Sequence, residues 1–347
     1  MTIERTIALD VMGGDFGPAV VIPGASISLL RNPELKFSLF GDEAAILREL
    51  NGHPELAARS NIYHTDSAIA MDDKPSQALR RGKGSSMWKS ITAVKDGDAD
   101  VVISAGNTGA LMAMTKLVLR PVAGIDRPAI AAIWPTVRSE CIVLDVGANI
   151  GANAKQLCDY ALMGAAMARA LFHIERPSVA LLNVGVEEIK GAIEVKETHS
   201  RLRHARDLPM RYHGFIEGDQ IGQGLVNVVV VEGFAGNIAL KTAEGTARQI
   251  SRYLKDAMQR SFCSKVGAFL AQGGFSILKT KMDPRRANGG TFLGLNGIAI
   301  KSHGGTDALG FASAIDIGYD MAESKLVKRF SEDLNNFYRQ ITDQLNS

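Results

Sequence analysis

The stretch CIVLDVGANIGANAKQLCDYALMGAAMARALFHIERPSVALLNV, residues 141–184, decides the fold. Its first six residues form an apolar run that ends in a Gly/Asn turn, and AKQLCDYALMGAAMARALF, 154–172, follows with helical spacing. A second apolar run, SVALLNV at 178–184, closes the unit. Strands apolar at successive positions are covered on both faces, and a helix between two of them lets the second run parallel to the first.

The same alternation extends in both directions. Val- and Ile-rich runs recur at TIALDV (6–11), KFSLF (36–40), DVVIS (100–104), AIAAIW (129–134), NVVVV (227–231) and GIAIK (297–301), with helical spacing between most of them. The pattern predicts an α/β doubly wound fold with a mainly parallel sheet. No repeat and no Ser/Pro-rich tether divides the chain, so residues 1–347 read as a single α/β unit whose length is also compatible with two lobes. The segment 236–286 differs in character, as a helical stretch followed by SFCSKVGAFLAQGGFSILKTKMDPRR (261–286).

Composition narrows the function. The 347 residues are 46% hydrophobic and carry a formal net charge of +2, so no global field marks a nucleic-acid-binding protein. Three widely spaced cysteines, Cys141, Cys158 and Cys263, suggest neither a disulfide frame nor a zinc knuckle and fit a reducing cytoplasm. MTIERTIALDV reaches its first strand at once, with no secretory pattern, and no run approaches the roughly 18 apolar residues of a spanning helix.

In open α/β sheets ligands bind beyond the carboxyl ends of the strands. The residues there form a consistent set. After 6–11 come Gly13, Gly14, Asp15 and Gly17; 100–104 ends in Ser104 and leads to Gly106, Asn107, Thr108 and Gly109. Run 141–146 is followed by Gly147, Asn149 and Asn153, and 178–184 closes on Asn183. After 227–231 come Gly236, Asn237 and Lys241; 297–301 ends in Lys301 and continues into Ser302, His303, Gly304 and Gly305. Such turns either end strands and cap helices, or bring backbone N–H groups and helix N-termini to an anion. A strand-end lysine beside a polar glycine turn favours the anion. GxGxxG, Walker A, HExxH and GxSxG patterns and metal-ligand clusters are missing from the sequence, so no cofactor, no metal and no covalent serine or cysteine nucleophile is expected.

Jointly, IALDVMGGDFGP (7–18), KPSQALRRGKGSSMW (74–88), SAGNTGALMA (104–113), RPAIAA (127–132), LDVGAN (144–149), NVGVEEIKG (183–191), GFAGNIALKT (233–242) and GLNGIAIKSHGG (294–305) resemble the bacterial acyl-carrier-protein:phosphate acyltransferase family. The blocks span nearly the whole chain in the expected order. Val186 stands where that family often has an acidic residue, and IGANAKQL lacks a commonly present Cys or Pro. The resemblance implies a Rossmann-like three-layer αβα fold related to phosphotransacetylases and isocitrate-dehydrogenase-like enzymes. It implies transfer of a long-chain acyl group from acyl carrier protein to inorganic phosphate for phospholipid synthesis. It also implies a homodimer at the inner face of the cell membrane, coupled to a membrane glycerol-3-phosphate acyltransferase.

A thioester is already activated, so held and aligned phosphate can attack it directly. Lys301, His303, Asn237 and Lys241 are the catalytic candidates. His303 is either a general acid for the thiolate or a hydrogen-bond donor. Gly13, Gly14, Ser104, Gly106, Asn107, Thr108, Gly109, Asn149, Asn183, Ser302, Gly304 and Gly305 are the phosphate-binding candidates. Arg80 and Arg81 approach phosphate or the carrier's phosphopantetheine, or are simply solvated. Asp10 and Asp15 orient lysines or cap turns.

Window 252–286 holds eight basic residues against Asp256 and Asp283. Within it Phe262, Val266, Phe269 and Leu270 share one helix face, with Phe275, Ile277 and Leu278 behind. A basic-edged apolar face suits a membrane surface or a homodimer interface, and the charge suits an acidic carrier. Two other functions remain in view from the sequence: an isocitrate-dehydrogenase-like oxidoreductase, and a non-catalytic membrane scaffold for lipid-synthesis enzymes.

Overall fold

A computed structural model describes residues 4–275 and 289–345. Among the described residues, eleven strands form one sheet: β1 (Arg5–Asp10), β2 (Leu35–Gly41), β3 (Ser60–His64), β4 (Val101–Ser104), β5 (Ala129–Pro135), β6 (Glu140–Leu144), β7 (Ser178–Leu182), β8 (Arg211–Ile216), β9 (Val228–Val230), β10 (Gly290–Leu293) and β11 (Ile298–Lys301). Their order is β3-β2-β1-β4-β11-β10-β5-β6-β9-β7-β8. The doubly wound α/β expectation holds, with β3, β8 and β10 added to the eight runs visible in the sequence.

The sheet is mainly parallel, with one interruption. Strands β3, β2, β1, β4 and β11 are mutually parallel, as are β6, β9, β7 and β8. Between them β11–β10, β10–β5 and β5–β6 pair antiparallel. The reason is connection length: residues 136–139 and 294–297 are hairpin loops, too short for a parallel crossover. Three reversals separate β11 from β6, so the two parallel blocks run in opposite directions along the sheet.

Burial follows this division. On one face a single core continues across the sheet, from Ile7, Leu9 and Phe37 through Ile300 and Ala131 to Leu144 and Leu181, under the helices Pro18–Arg31, Ala154–Phe172 and Ala308–Glu323. The other face splits. One cluster holds Ala8, Met87, Ile91, Val102, Leu111 and Ala299; another holds Cys141, Val143, Ala180, Ile216 and Val229. Ile130 of β5 touches both, so the break falls where strand direction reverses.

Helix Gly233–Gln259 starts under Glu232, whose carboxylate accepts from the N–H groups of Phe234 and Ala235. Its only buried residues among those described are Gly233 and Gly236, and no residue of the following helix Phe262–Leu270 is buried. Of the features noted in 236–286, Ile277, Leu278, Lys279, Lys281, Asp283, Arg285 and Arg286 lie outside the described residues.

Candidate active site

Asp10, Ser104 and Lys301 are the last residues of β1, β4 and β11, and register sets them side by side: Asp10 opposite Ser104, Ser104 opposite Lys301. Side chains alternate along a strand, and the neighbours Ile103 and Ile300 face the continuous core, so all three project to the opposite face. There the Ser104 hydroxyl donates to Asp10 Oδ2 at 2.6 Å and the Ser86 hydroxyl to Oδ1 at 2.6 Å. Gly106 N–H in turn donates to Ser104 Oγ at 3.0 Å. Burial pushes the Asp10 carboxyl up, against the pull of Ser104, Ser86, the Met12 N–H and the Lys301 charge.

Lys301 donates from Nζ to Ala105 O at 2.9 Å and to Ser302 O. Burial pushes its ammonium down to about 8, opposed by the Asp10 and Asp15 carboxylates. Around it three glycine turns interlock. A Cβ on Gly13 would sit 2.7 Å from both Asp10 Oδ2 and Gly106 N, and one on Gly14, at φ 89°, would meet Ala105 Cβ at 2.8 Å and Gly304 O at 3.1 Å. Side chains there are excluded by space and, at Gly14, by conformation as well. Asp15 N–H closes the arrangement onto Gly304 O at 3.0 Å.

His303 is exposed beside this turn, and Gly305 N–H reaches its Nδ1 at 3.3 Å. That contact makes Nδ1 the acceptor and puts the proton of the neutral ring on Nε2. Asn107 caps helix Thr108–Val118 through Ala110 N–H and spends its amide N–H groups on Met71 O (2.8 Å) and Asp73 O (2.9 Å). It therefore ties loop 66–74 over the turn. Gly109 packs on Pro75 at the same place, and Thr108 opens the helix. Gly13, Gly14, Ser104, Gly106, Asn107, Thr108, Gly109, Lys301, Ser302, His303, Gly304 and Gly305 are thus one group.

The remaining candidates form a second group beyond β6, β9 and β7, whose direction is opposite. Asp145 is its hub. Its carboxylate accepts from the N–H groups of Ile130, Gly147, Ala148 and Asn149 at 2.8–3.1 Å. The Asn149 amide donates to Pro128 O, Asp145 and the Tyr160 hydroxyl, tying its turn to neighbouring segments, and the Asn183 amide donates to Gly185 O and Lys190 O, clamping its own loop. Helix Gly233–Gln259 packs straight onto this hub: a Cβ on Gly236 would fall 2.0 Å from Asp145 O. Asn237 is exposed on its first turns against Gly147, and Lys241 is exposed one turn on, paired with Glu244 at 2.9 Å.

Sequence reasoning left Asp10 in a minor role and did not single out Ser86, Asp145 or Glu232. The available signal was position. An acidic residue closing an apolar strand, as in IALD and IVLD, must find donors in the turn it starts. Among the described residues, no group of three or more His, Cys, Asp or Glu is placed to hold a metal ion.

Residues 5–329 match the family described as "Fatty acid synthesis protein". A relative from Afipia carboxidovorans named phosphate acyltransferase is 62% identical over 337 residues, covering 96% of this chain and 95% of that one. One of the same name from Rhizobium meliloti is 62% identical over 333 residues, covering 96% of each chain. A phosphotransacetylase structure from Streptococcus pyogenes superposes with a TM-score of 0.61 at 18% identity, over 92% of this chain and 94% of that one, which shows a shared fold. With most of its length matched and nearly two residues in three shared with such relatives, this chain belongs to the fatty acid synthesis protein family.

Proposed function

We infer that this protein transfers an acyl group from a thioester to inorganic phosphate, releasing an acyl phosphate and a free thiol. The observation that carries the reading is Lys301, a half-buried cation at the meeting of the Gly13, Gly106 and Gly304 turns. The relatives' name fits the same chemistry.

The reaction asks little of a nucleophile. Ser86 and Ser104 are fully buried and donate to Asp10, so neither hydroxyl can reach a substrate carbonyl. Instead a phosphate oxygen attacks the acyl carbon, a C–O bond forms as the C–S bond breaks, and the proton of hydrogen phosphate ends on the thiol. Holding phosphate in line can lower such a barrier by about 7–11 kcal/mol. Lys301 holds the anion, and His303 serves the oxyanion or the departing thiolate. Asn237 and Lys241 sit in the second group; a direct part in the chemistry would require that group to meet the acyl donor.

The donor is assigned to acyl carrier protein and the product to phospholipid synthesis, a reading supported by the family description and by exposed Arg80, Arg81 and Lys83 on the segment next to the site. Phe262, Val266, Phe269 and Leu270 are exposed at 81%, 73% and 79% for Phe262, Phe269 and Leu270 and 44% for Val266, supporting contact with a lipid surface or a second copy of the chain. Among the described residues, no helix is long and apolar enough to cross a membrane. Incubation with palmitoyl-carrier protein, with and without phosphate, tests the reading by mass spectrometry. Acyl phosphate formed only with phosphate supports it, and unchanged thioester or phosphate-independent fatty acid overturns it.

A further inference from the structure

Asp15 stands at the mouth of the phosphate cradle with its carboxylate exposed, close enough for its charge to act on the Lys301 ammonium. A Cβ on Gly305 would lie 3.2 Å from Asp15 Oδ2 and one on Gly304 3.7 Å from Oδ1, so the carboxylate covers the glycine turn beside Lys301. Its backbone is fixed there by the N–H bond to Gly304 O. Among the described residues, no hydrogen bond or ion pair engages its side-chain oxygens, and the side chain is exposed. Asp10, by contrast, is saturated by two hydroxyls and the Met12 N–H.

Two carboxylates against one ammonium make an odd anion site. A fully deprotonated oxyanion entering beside Lys301 meets the Asp15 charge with no proton between them, a like-charge contact. Hydrogen phosphate carries a proton on one oxygen. Placed against a carboxylate, that O–H makes a short charge-assisted hydrogen bond, and repulsion becomes attraction.

We propose that Asp15 accepts a hydrogen bond from the protonated oxygen of phosphate and so selects a protonated oxyanion over sulfate, which has no proton at neutral pH. The inference rests on the phosphate-transfer reading above and adds its specificity. Asp15 is then a substrate-contacting residue, while Asp10 beneath it holds the turn.

The test is competition. Initial rates of acyl phosphate formation from palmitoyl-carrier protein and phosphate are measured with the full-length wild type, Asp15→Asn and Asp15→Ala, titrating sulfate as a dead-end competitor and arsenate as a competing nucleophile. In wild type sulfate should compete poorly. In either variant the ratio of sulfate Ki to phosphate KM should fall by about tenfold or more, corresponding to about 1.4 kcal/mol. The arsenate ratio should not move, because arsenate keeps a proton as phosphate does. An unchanged sulfate ratio in a phosphate-dependent variant overturns the role of Asp15 alone. Thiol release that ignores phosphate in the wild type overturns the transfer reading and this inference with it. The side chain is exposed and makes no hydrogen bond or ion pair among the described residues, so two variants with wild-type circular dichroism and melting keep the comparison clean.

Discussion

The Ser104 hydroxyl donates to the Asp10 carboxylate at 2.6 Å, joining the last residues of two neighbouring parallel strands at full burial. Removing the hydroxyl leaves a buried carboxylate short of a donor and frees the Gly106 N–H as well. Ser104→Ala is therefore expected to lower stability by about 1–3 kcal/mol. Urea unfolding of Ser104→Ala, Asp10→Asn and the double variant checks it. The two single losses should not add, with a coupling of about 0.5–3 kcal/mol.

Lys301 gives the enzyme a pH signature. Its ammonium, pushed down to about 8 by burial, is charged below that pH and neutral above it. Phosphate KM should accordingly rise as pH passes upward through about 8, whereas Lys301→Met should show a high KM with no inflection there. Stability moves the other way. Between about 8 and the ordinary lysine value the unfolded chain binds more protons than the folded one, so wild-type stability rises with pH across that window and Lys301→Met lacks the rise.

Gly236 tests the second group of strand ends. An added Cβ would overlap Asp145 O, a backbone atom that cannot swing aside, so the start of helix Gly233–Gln259 would have to move. Gly236→Ala should destabilise by about 1–3 kcal/mol in thermal or urea unfolding. Gly245→Ala, on the same helix with open space around it, should be neutral or slightly stabilising.

Phe269 and Leu270 separate the two readings of the exposed helix. Phe269→Glu with Leu270→Glu should abolish flotation with anionic liposomes if this face meets lipid, leaving the oligomeric state unchanged by light scattering. A shift to monomer with flotation retained assigns the face to a second copy instead.

Much of this was legible in the sequence, for a physical reason. Strands buried on both faces read as unbroken apolar runs, and β1, β4, β6, β7, β9 and β11 stood out as such, with Lys301 and its glycines at the end of the last. What the runs could not convey was direction. The hairpin loops 136–139 and 294–297 reverse the chain in the middle of the sheet, so strand-end turns of similar Gly/Asn chemistry fall into two groups. Nor does a sequence show where an amide is spent. Asn107, Asn149 and Asn183 look like anion donors, yet each ties backbone carbonyls of its own surroundings. Edge strand β3, with mostly polar and exposed residues, carries little apolar signal at all.

The central claim is direct attack by phosphate held at Lys301, and isotope transfer tests it most directly. Wild-type protein is incubated with palmitoyl-carrier protein and phosphate bearing heavy oxygen at every position, and the acyl phosphate is weighed by mass spectrometry. The expected product retains every labelled oxygen, forms in step with free thiol, and falls by about a hundredfold or more in Lys301→Met. Acyl phosphate that has lost a labelled oxygen, an acylated protein on the way to product, or undiminished turnover in Lys301→Met would contradict it.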